Sequence, residues 1–197
     1  MVREALGVMI SWFHSGEIHQ SQSVSGKMKS WIGHANKKQR TKFNTRVETR
    51  LRELGWETEK EIHLTKLLRR PTDPKYGDLK KYGDIDVLAW QRESGRVLLI
   101  ECKDVQFRKT YWEVAEQLAD FRGVMRSNGK PDVLKRHLDR IDVVAANADL
   151  VSKTLNLAVP IRLEGQLVFK NPVPMRFAWN HMASRIQLSL FSELDKL

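Results

Sequence analysis

Residues 83–106 read GDIDVLAWQRESGRVLLIECKDVQ. Two apolar runs, IDVLAW at 85–90 and RVLLIEC at 96–102, stand on either side of QRESG at 91–95. Short runs rich in Val, Ile and Leu, bounded by polar turn residues, form buried strands, and two so close in sequence pair as neighbours. Asp86 lies inside the first run, where an isolated charge is costly unless something compensates it. Side chains alternate along a strand with period two. Glu101 and Lys103 therefore share one face at the end of the second strand, and Cys102 turns to the other as a small hydrophobe. Pairing of the two strands brings Asp86 beside them.

Two carboxylates and one ammonium on adjacent strands suit a hard divalent cation. Magnesium takes oxygen ligands and keeps several waters and substrate phosphate oxygens. Asp86 and Glu101 are the candidate ligands, with the Cys102 carbonyl as a further one. Lys103 is placed to orient water and to stabilise charge developing on a phosphate. Without a cation or a substrate, the same residues would be a salt-linked strand pair.

Working outward, FNTRVETRLRELGW at 43–56 carries Phe43, Val47, Leu51 and Leu54 at helical spacing, and Gly55 stops the helix. Glu48 on this helix is a third candidate carboxylate for the metal. A strand is expected over 57–64, then a basic loop at 69–84 with prolines and glycines. After the strand pair, a helix is expected from Thr110 to Met125. Gln117 on it is a candidate to orient lysine, water or phosphate, and Glu113, one turn away, is a weaker one. SNGKP breaks that helix. A short helix at 131–139, a strand at 141–147 (IDVVAAN), a helix at 149–157 and strands in VPIRL and QLVF complete the expected order. From Trp179 onward a frayed tail or a short amphipathic helix is expected, through Ile186, Leu190 and Leu194. The succession helix, three strands, helix, strand (αβββαβ) is an α/β sandwich with a central mixed sheet flanked by helices. The expected organisation is a basic extension at 1–42, partly helical through an apolar segment at 1–16 and a polar loop at 18–26, a central domain at 43–178, and the tail at 179–197.

The chain has 197 residues and a formal net charge of +10. A charge of that size favours a polyanionic partner. No acidic residue stands between Glu17 and Glu48, whereas Lys27, Lys29, Lys37, Lys38, Arg40, Lys42 and Arg46 do. These are candidate phosphate contacts, against the plainer reading of a solvated arm. Trp31, within this interval, is a candidate to stack on a base. Arg108, Lys109 and Tyr111 are candidates to position phosphate near the strand pair. The single Cys102 rules out an internal disulfide, and no run of eighteen apolar residues provides a membrane span. With no signal-peptide pattern, a reducing cytoplasm is the expected compartment. His14, His19, His34 and His63 show no zinc-ligand spacing, and no P-loop motif is present, so any ATP-driven motor would be a separate partner.

The stretch GDIDVLAW followed by RVLLIECKDVQ resembles the restriction-endonuclease-like superfamily of PD-(D/E)xK nucleases, in particular its Holliday-junction-resolvase and Mrr-type branches. The resemblance covers about residues 43–146. The family's strand aspartate matches Asp86, its acid-x-lysine pair Glu101 and Lys103, its first-helix glutamate Glu48 and its helix glutamine Gln117. The proline of the written motif is missing: Gly83-Asp84-Ile85-Asp86 stands there, which leaves Asp84 as an alternative acid. The resemblance implies the restriction-endonuclease-like fold, magnesium or manganese as cofactor, and hydrolysis of phosphodiester bonds in DNA by an endonuclease of repair, recombination or defence. A structure-specific resolvase, an exonuclease and a non-catalytic nucleic-acid-binding scaffold are the alternatives. RNA as substrate, a homodimer and a larger complex remain open at the level of sequence.

Overall fold

A computed structural model describes residues 25–69, 74–105, 110–182 and 185–197. The expected helix at 1–16, most of the polar stretch 18–26, and Arg108 and Lys109 lie outside the described residues. The chain divides into two compact units, Met1–Phe43 and Asn44–Leu197.

The first described helix, α1 (Gly26–Glu53), starts well before the expected position 43 and carries the basic interval within it. Lys, Gln, Arg and Met are good helix formers, so a segment with little apolar periodicity still continues the helix. The expected C-terminal stop is present. Gly55 has φ +84, Trp56 N–H donates to the Leu51 carbonyl at 3.0 Å, and Gly55 N–H donates to Arg52 O at 3.0 Å. This is the paired bonding of a Schellman stop, with Leu51 and Trp56 both buried beside it.

The second unit is built on one five-stranded sheet in the order β1 (Glu57–His63), β2 (Asp84–Gln91), β3 (Arg96–Lys103), β4 (Arg162–Phe169) and β5 (Ile186–Leu190). The first three strands pair antiparallel, and β3, β4 and β5 run parallel. Helices α2 (Leu64–Leu68), α3 (Tyr111–Ala119), α4 (Val133–Ala146), α5 (Ala148–Leu155) and α6 (Met175–Met182) lie along the connections. The result is a mixed sheet flanked by helices, as the sequence predicts at that level. β3 sits between an antiparallel and a parallel neighbour, and residues 97–102 are buried on both faces. That explains why its run is continuously apolar rather than alternating.

Four expectations are corrected. Residues 141–147 are not a strand but the second half of α4, which begins at Val133. Leu134, His137, Arg140, Ile141 and Val144 are among its buried residues at helical spacing, a stripe that the β-branched run IDVV obscures. Residues 162–169 form one strand rather than two. The expected tail helix is the strand β5 followed by a 3-10 turn at Phe191–Lys196. The helix after Thr110 ends at Ala119, not near Met125. The Asp132 carboxylate accepts from Val124 N and Lys135 N, closing residues 120–132 into a turn that caps α4.

Among the described residues no helix is long and apolar enough to cross a membrane.

Candidate active site

The ladder between β2 and β3 runs from Gln91↔Arg96 to Val87↔Ile100. One residue further along, where the ladder ends, come Asp86 and Glu101, near enough for the charge of Glu101 to act on Asp86. The Asp86 Oδ2 accepts the Cys102 backbone N–H at 2.9 Å, so a carboxylate takes up a strand donor at this point. On its other side, Asn44 Nδ2 makes a long contact of 3.5 Å with Asp86 Oδ1.

Glu101 is only 6% exposed. Its Oε1 accepts from Lys103 Nζ and its Oε2 from Arg140 Nη1. Arg140 is itself buried on α4, and its Nε donates to the Tyr82 carbonyl at 2.8 Å. Burial alone would raise the Glu101 pKa. Lys103, Arg140 and then His137 reverse that and hold it well below the usual carboxylate range. Asp86 goes the other way: burial first, then the charge of Glu101, push its pKa up to about 6 against the weaker pull of Lys103, the Cys102 N–H and Arg140. Of the two neighbouring acids, Glu101 holds the charge and has both cations bonded to it, and Asp86 is the one left short of compensation.

The expected convergence of Asp86, Glu101 and Lys103 is therefore present in the geometry. Cys102 is buried, as its place on the strand predicts, and burial pushes its thiol pKa up. Glu48 is placed differently. It is 6% exposed, but its Oε1 pairs with Arg52 at 2.8 Å, one helical turn away, and its Oε2 stands 3.9 Å from Lys60 on β1. Among the described residues no group of three or more His, Cys, Asp or Glu side chains stands close enough to share one ion. Of the three expected carboxylates, Asp86 and Glu101 act on each other's charge, and Glu48 is engaged by Arg52 and Lys60. Gln117 is buried on α3. Glu113 closes the N-terminal cap of that helix, accepting from Thr110 N at 3.1 Å and Oγ1 at 3.0 Å. Asp84, the alternative acid, pairs with His63 at the exposed start of β2.

Of the candidate phosphate contacts, Lys27, Lys29, Lys37, Lys38, Arg40 and Lys42 are all exposed along α1, in the first unit. Arg46, in the second unit, lies over the Phe191 ring at 4.7 Å.

Three site residues escape a reading of the sequence. Asn44 steadies Asp86 from a helix that precedes it by about forty residues. Arg140 and His137 sit on α4, which the sequence suggests is a short helix leading into a strand. His137 is 1% exposed, and neither ring nitrogen has a hydrogen-bond partner of ordinary geometry among the described residues. Burial pushes its pKa down to about 4; the charge of Glu101 opposes this, Arg140 and Lys103 add to it, and the Gln166 backbone opposes it weakly. The one signal that finds these residues is helical spacing: His137, Arg140 and Val144 fall on one stripe with Leu134 and Ile141.

A family model described as "Anti-phage protein Upx-like" matches residues 1–192. The chain belongs to this Upx-like family. A defence role, one of those the resemblance implies, agrees with that membership, and the family description names no reaction. No curated protein and no solved structure matches this Upx-like chain.

Proposed function

We propose that this Upx-like chain is a divalent-metal-dependent nuclease that hydrolyses phosphodiester bonds of DNA in anti-phage defence. The observation that carries the proposal is the meeting of Asp86 and Glu101 where β2 and β3 part, with Lys103 bonded to Glu101. The order of α1, three antiparallel strands, helices and a parallel strand is in keeping with the restriction-endonuclease-like fold that the sequence resembles.

The residues fit a magnesium or manganese ion. Two neighbouring carboxylates of which one is short of positive charge are a site for a hard cation, which is commonly held by one or two carboxylates with waters and phosphate oxygens completing its shell. Asp86 and Glu101 would hold it. When bound, such an ion lowers the pKa of water and draws charge off a phosphodiester in the transition state. The chain's own groups do the rest. Cys102 N–H and Asn44 fix the Asp86 carboxylate, and Arg140 fixes Glu101 from behind. Lys103, on the same face of β3, supplies a positive donor for a phosphate oxygen or an attacking water.

The parallel strands β3, β4 and β5 present their carboxyl ends at this end of the sheet, where open α/β sheets place their ligands. The net charge of +10 suits a polyanionic substrate. The test is cleavage of labelled linear, single-stranded, nicked, branched and supercoiled DNA with magnesium, manganese or EDTA, with Lys103→Ala alongside. Metal-dependent cutting that is lost in the variant supports the nuclease, and the preferred substrate separates endonuclease, resolvase and exonuclease. Binding of DNA without cutting, unchanged by the substitution, would replace it with a nucleic-acid-binding scaffold.

A further inference from the structure

We infer that the turn preceding β2 is a phosphate-gripping ridge, on which Lys80 and Lys81 hold the backbone of the DNA substrate beside the Asp86–Glu101 pair. The inference rests on the nuclease reading and names the contact by which that site would hold its substrate.

The turn consists of two short 3-10 segments, Pro74–Tyr76 and Leu79–Tyr82. Its aromatic residues point it inward: Tyr76 and Tyr82 pack against the hydrophobic core with ring centroids 6.3 Å apart, and Leu79 is buried. Its cations are left outside. Lys75, Lys80 and Lys81 are exposed, with Lys81 Nζ 4.9 Å from the Tyr82 ring centroid. The only acid within the turn, Asp78, has its carboxylate on the Lys80 backbone N–H at 3.2 Å. Toward β2 the next acid, Asp84, is paired with His63, and in sequence Asp73 immediately precedes Pro74. Among the described residues of the turn, the exposed side is therefore positive.

Exposed lysines are commonplace on a basic protein. What distinguishes these is how their turn is fastened. The Tyr82 carbonyl receives Arg140 Nε at 2.8 Å, and the same guanidinium donates to Glu101 through Nη1. One buried, rigid side chain thus ties the backbone of the lysine turn to one of the two acids that would carry the metal. A planar guanidinium with several fixed donors holds such a spacing better than a flexible cation does. A phosphate held by Lys80 or Lys81 is then held at a set separation from Glu101. Positioning of this kind is what phosphate contacts supply, whatever the base sequence.

Binding of a fluorescein-labelled DNA duplex to the full chain, followed by anisotropy in EDTA over a series of KCl concentrations, tests this without cleavage. Each phosphate contact contributes about 0.9 to the slope of log affinity against log salt. Lys80→Ala/Lys81→Ala is expected to lower that slope by roughly 1 to 2. Lys196→Ala, an exposed lysine beside Leu197, which meets Arg96 at the opposite end of β3, is expected to leave it unchanged. A slope unchanged in the double variant, or lowered equally by Lys196→Ala, overturns the ridge and leaves the nuclease reading standing. Failure of the wild-type chain to bind DNA at low salt overturns both.

Discussion

Arg140 donates to Glu101 from within the protein, with both side chains more than nine-tenths buried. A carboxylate taken out of water this far stays charged only because cations come with it, and here they come from two directions: Lys103 along the strand and Arg140 from α4. The arrangement fixes which of the neighbouring acids keeps its charge, and its consequences are measurable in the stability of the chain.

Removing Arg140 leaves a buried carboxylate with one cation in place of two. Breaking a buried pair by deleting one partner typically costs about 3–5 kcal/mol. Arg140→Met is expected to lose about 3 kcal/mol in urea denaturation, since Lys103 still compensates part of the charge. Adding Glu101→Gln should recover much of that loss. A single-variant loss below about 1 kcal/mol would mean that Glu101 does not depend on Arg140.

Asp86 is expected to destabilise the metal-free protein at neutral pH. Its pKa rises from the ordinary 3.8 to about 6 on folding. An acid with a raised folded pKa gives stability that is present in full below its unfolded pKa and lost as pH rises through the folded one. A pKa that moves by one pH unit on folding corresponds to about 1.4 kcal/mol, so the penalty at neutral pH approaches about 3 kcal/mol. Asp86→Asn should therefore be more stable than wild type in EDTA at neutral pH, and the advantage should vanish near pH 4 while cleavage is abolished. Magnesium should raise the melting temperature of the wild type and not of the variant. A variant less stable than wild type in EDTA would show that Asp86 is compensated in some other way.

The strand pair is legible in the sequence because everything that defines it is local. Asp86, the turn and Glu101-Cys102-Lys103 lie within one stretch, and the period of two settles which side chains share a face. The supports of that pair are not legible for the opposite reason. Asn44 and Arg140 reach it from helices distant in sequence, and a single Asn or Arg carries no sign of its partner. Glu48 shows the same limit from the other side. Its place next to Val47 on the helix makes it a candidate ligand in sequence, but Arg52 and Lys60, which engage its carboxylate, are not distinguishable in sequence from other surface cations. Residues 141–147 read as a strand because IDVV is as good a strand as it is a helix stripe. Only the packing of Ile141 against β4 decides between them, and that depends on Gly165.

At Gly165 a Cβ would lie 2.4 Å from Ile141 Cδ1 and 3.1 Å from Ile186 Cγ1. The absence of a side chain lets α4, with His137 and Arg140 on it, lie close on β4. Overpacking of this sort costs about 1–3 kcal/mol, and Gly165→Ala is expected to fall in that range by urea denaturation. The clash is with the far end of Ile141, so Ile141→Val in the same chain should relieve part of it. If the two substitutions are simply additive, α4 does not approach β4 at this point.

His137 makes stability depend on pH with the opposite sign to Asp86. Its pKa falls from the ordinary 6.5 to about 4 on folding. Between those values the unfolded chain binds a proton that the folded chain refuses, so stability is present in full above 6.5 and is lost as pH falls toward 4. The full loss approaches about 3 kcal/mol. Asp86 gains stability over part of the same window, so wild type alone would show a muted slope. The comparison is with His137→Leu, in which the Asp86 contribution is retained and cancels. Leucine also removes two ring nitrogens that have no hydrogen-bond partner of ordinary geometry among the described residues, so the variant should match or exceed the wild type at neutral pH. Urea denaturation of both proteins from about pH 7 to pH 4 should show the advantage of His137→Leu growing as pH falls. A constant difference across that range would mean that the imidazole is protonated as readily in the folded chain as in the unfolded one, and that its place behind Glu101 is open to water.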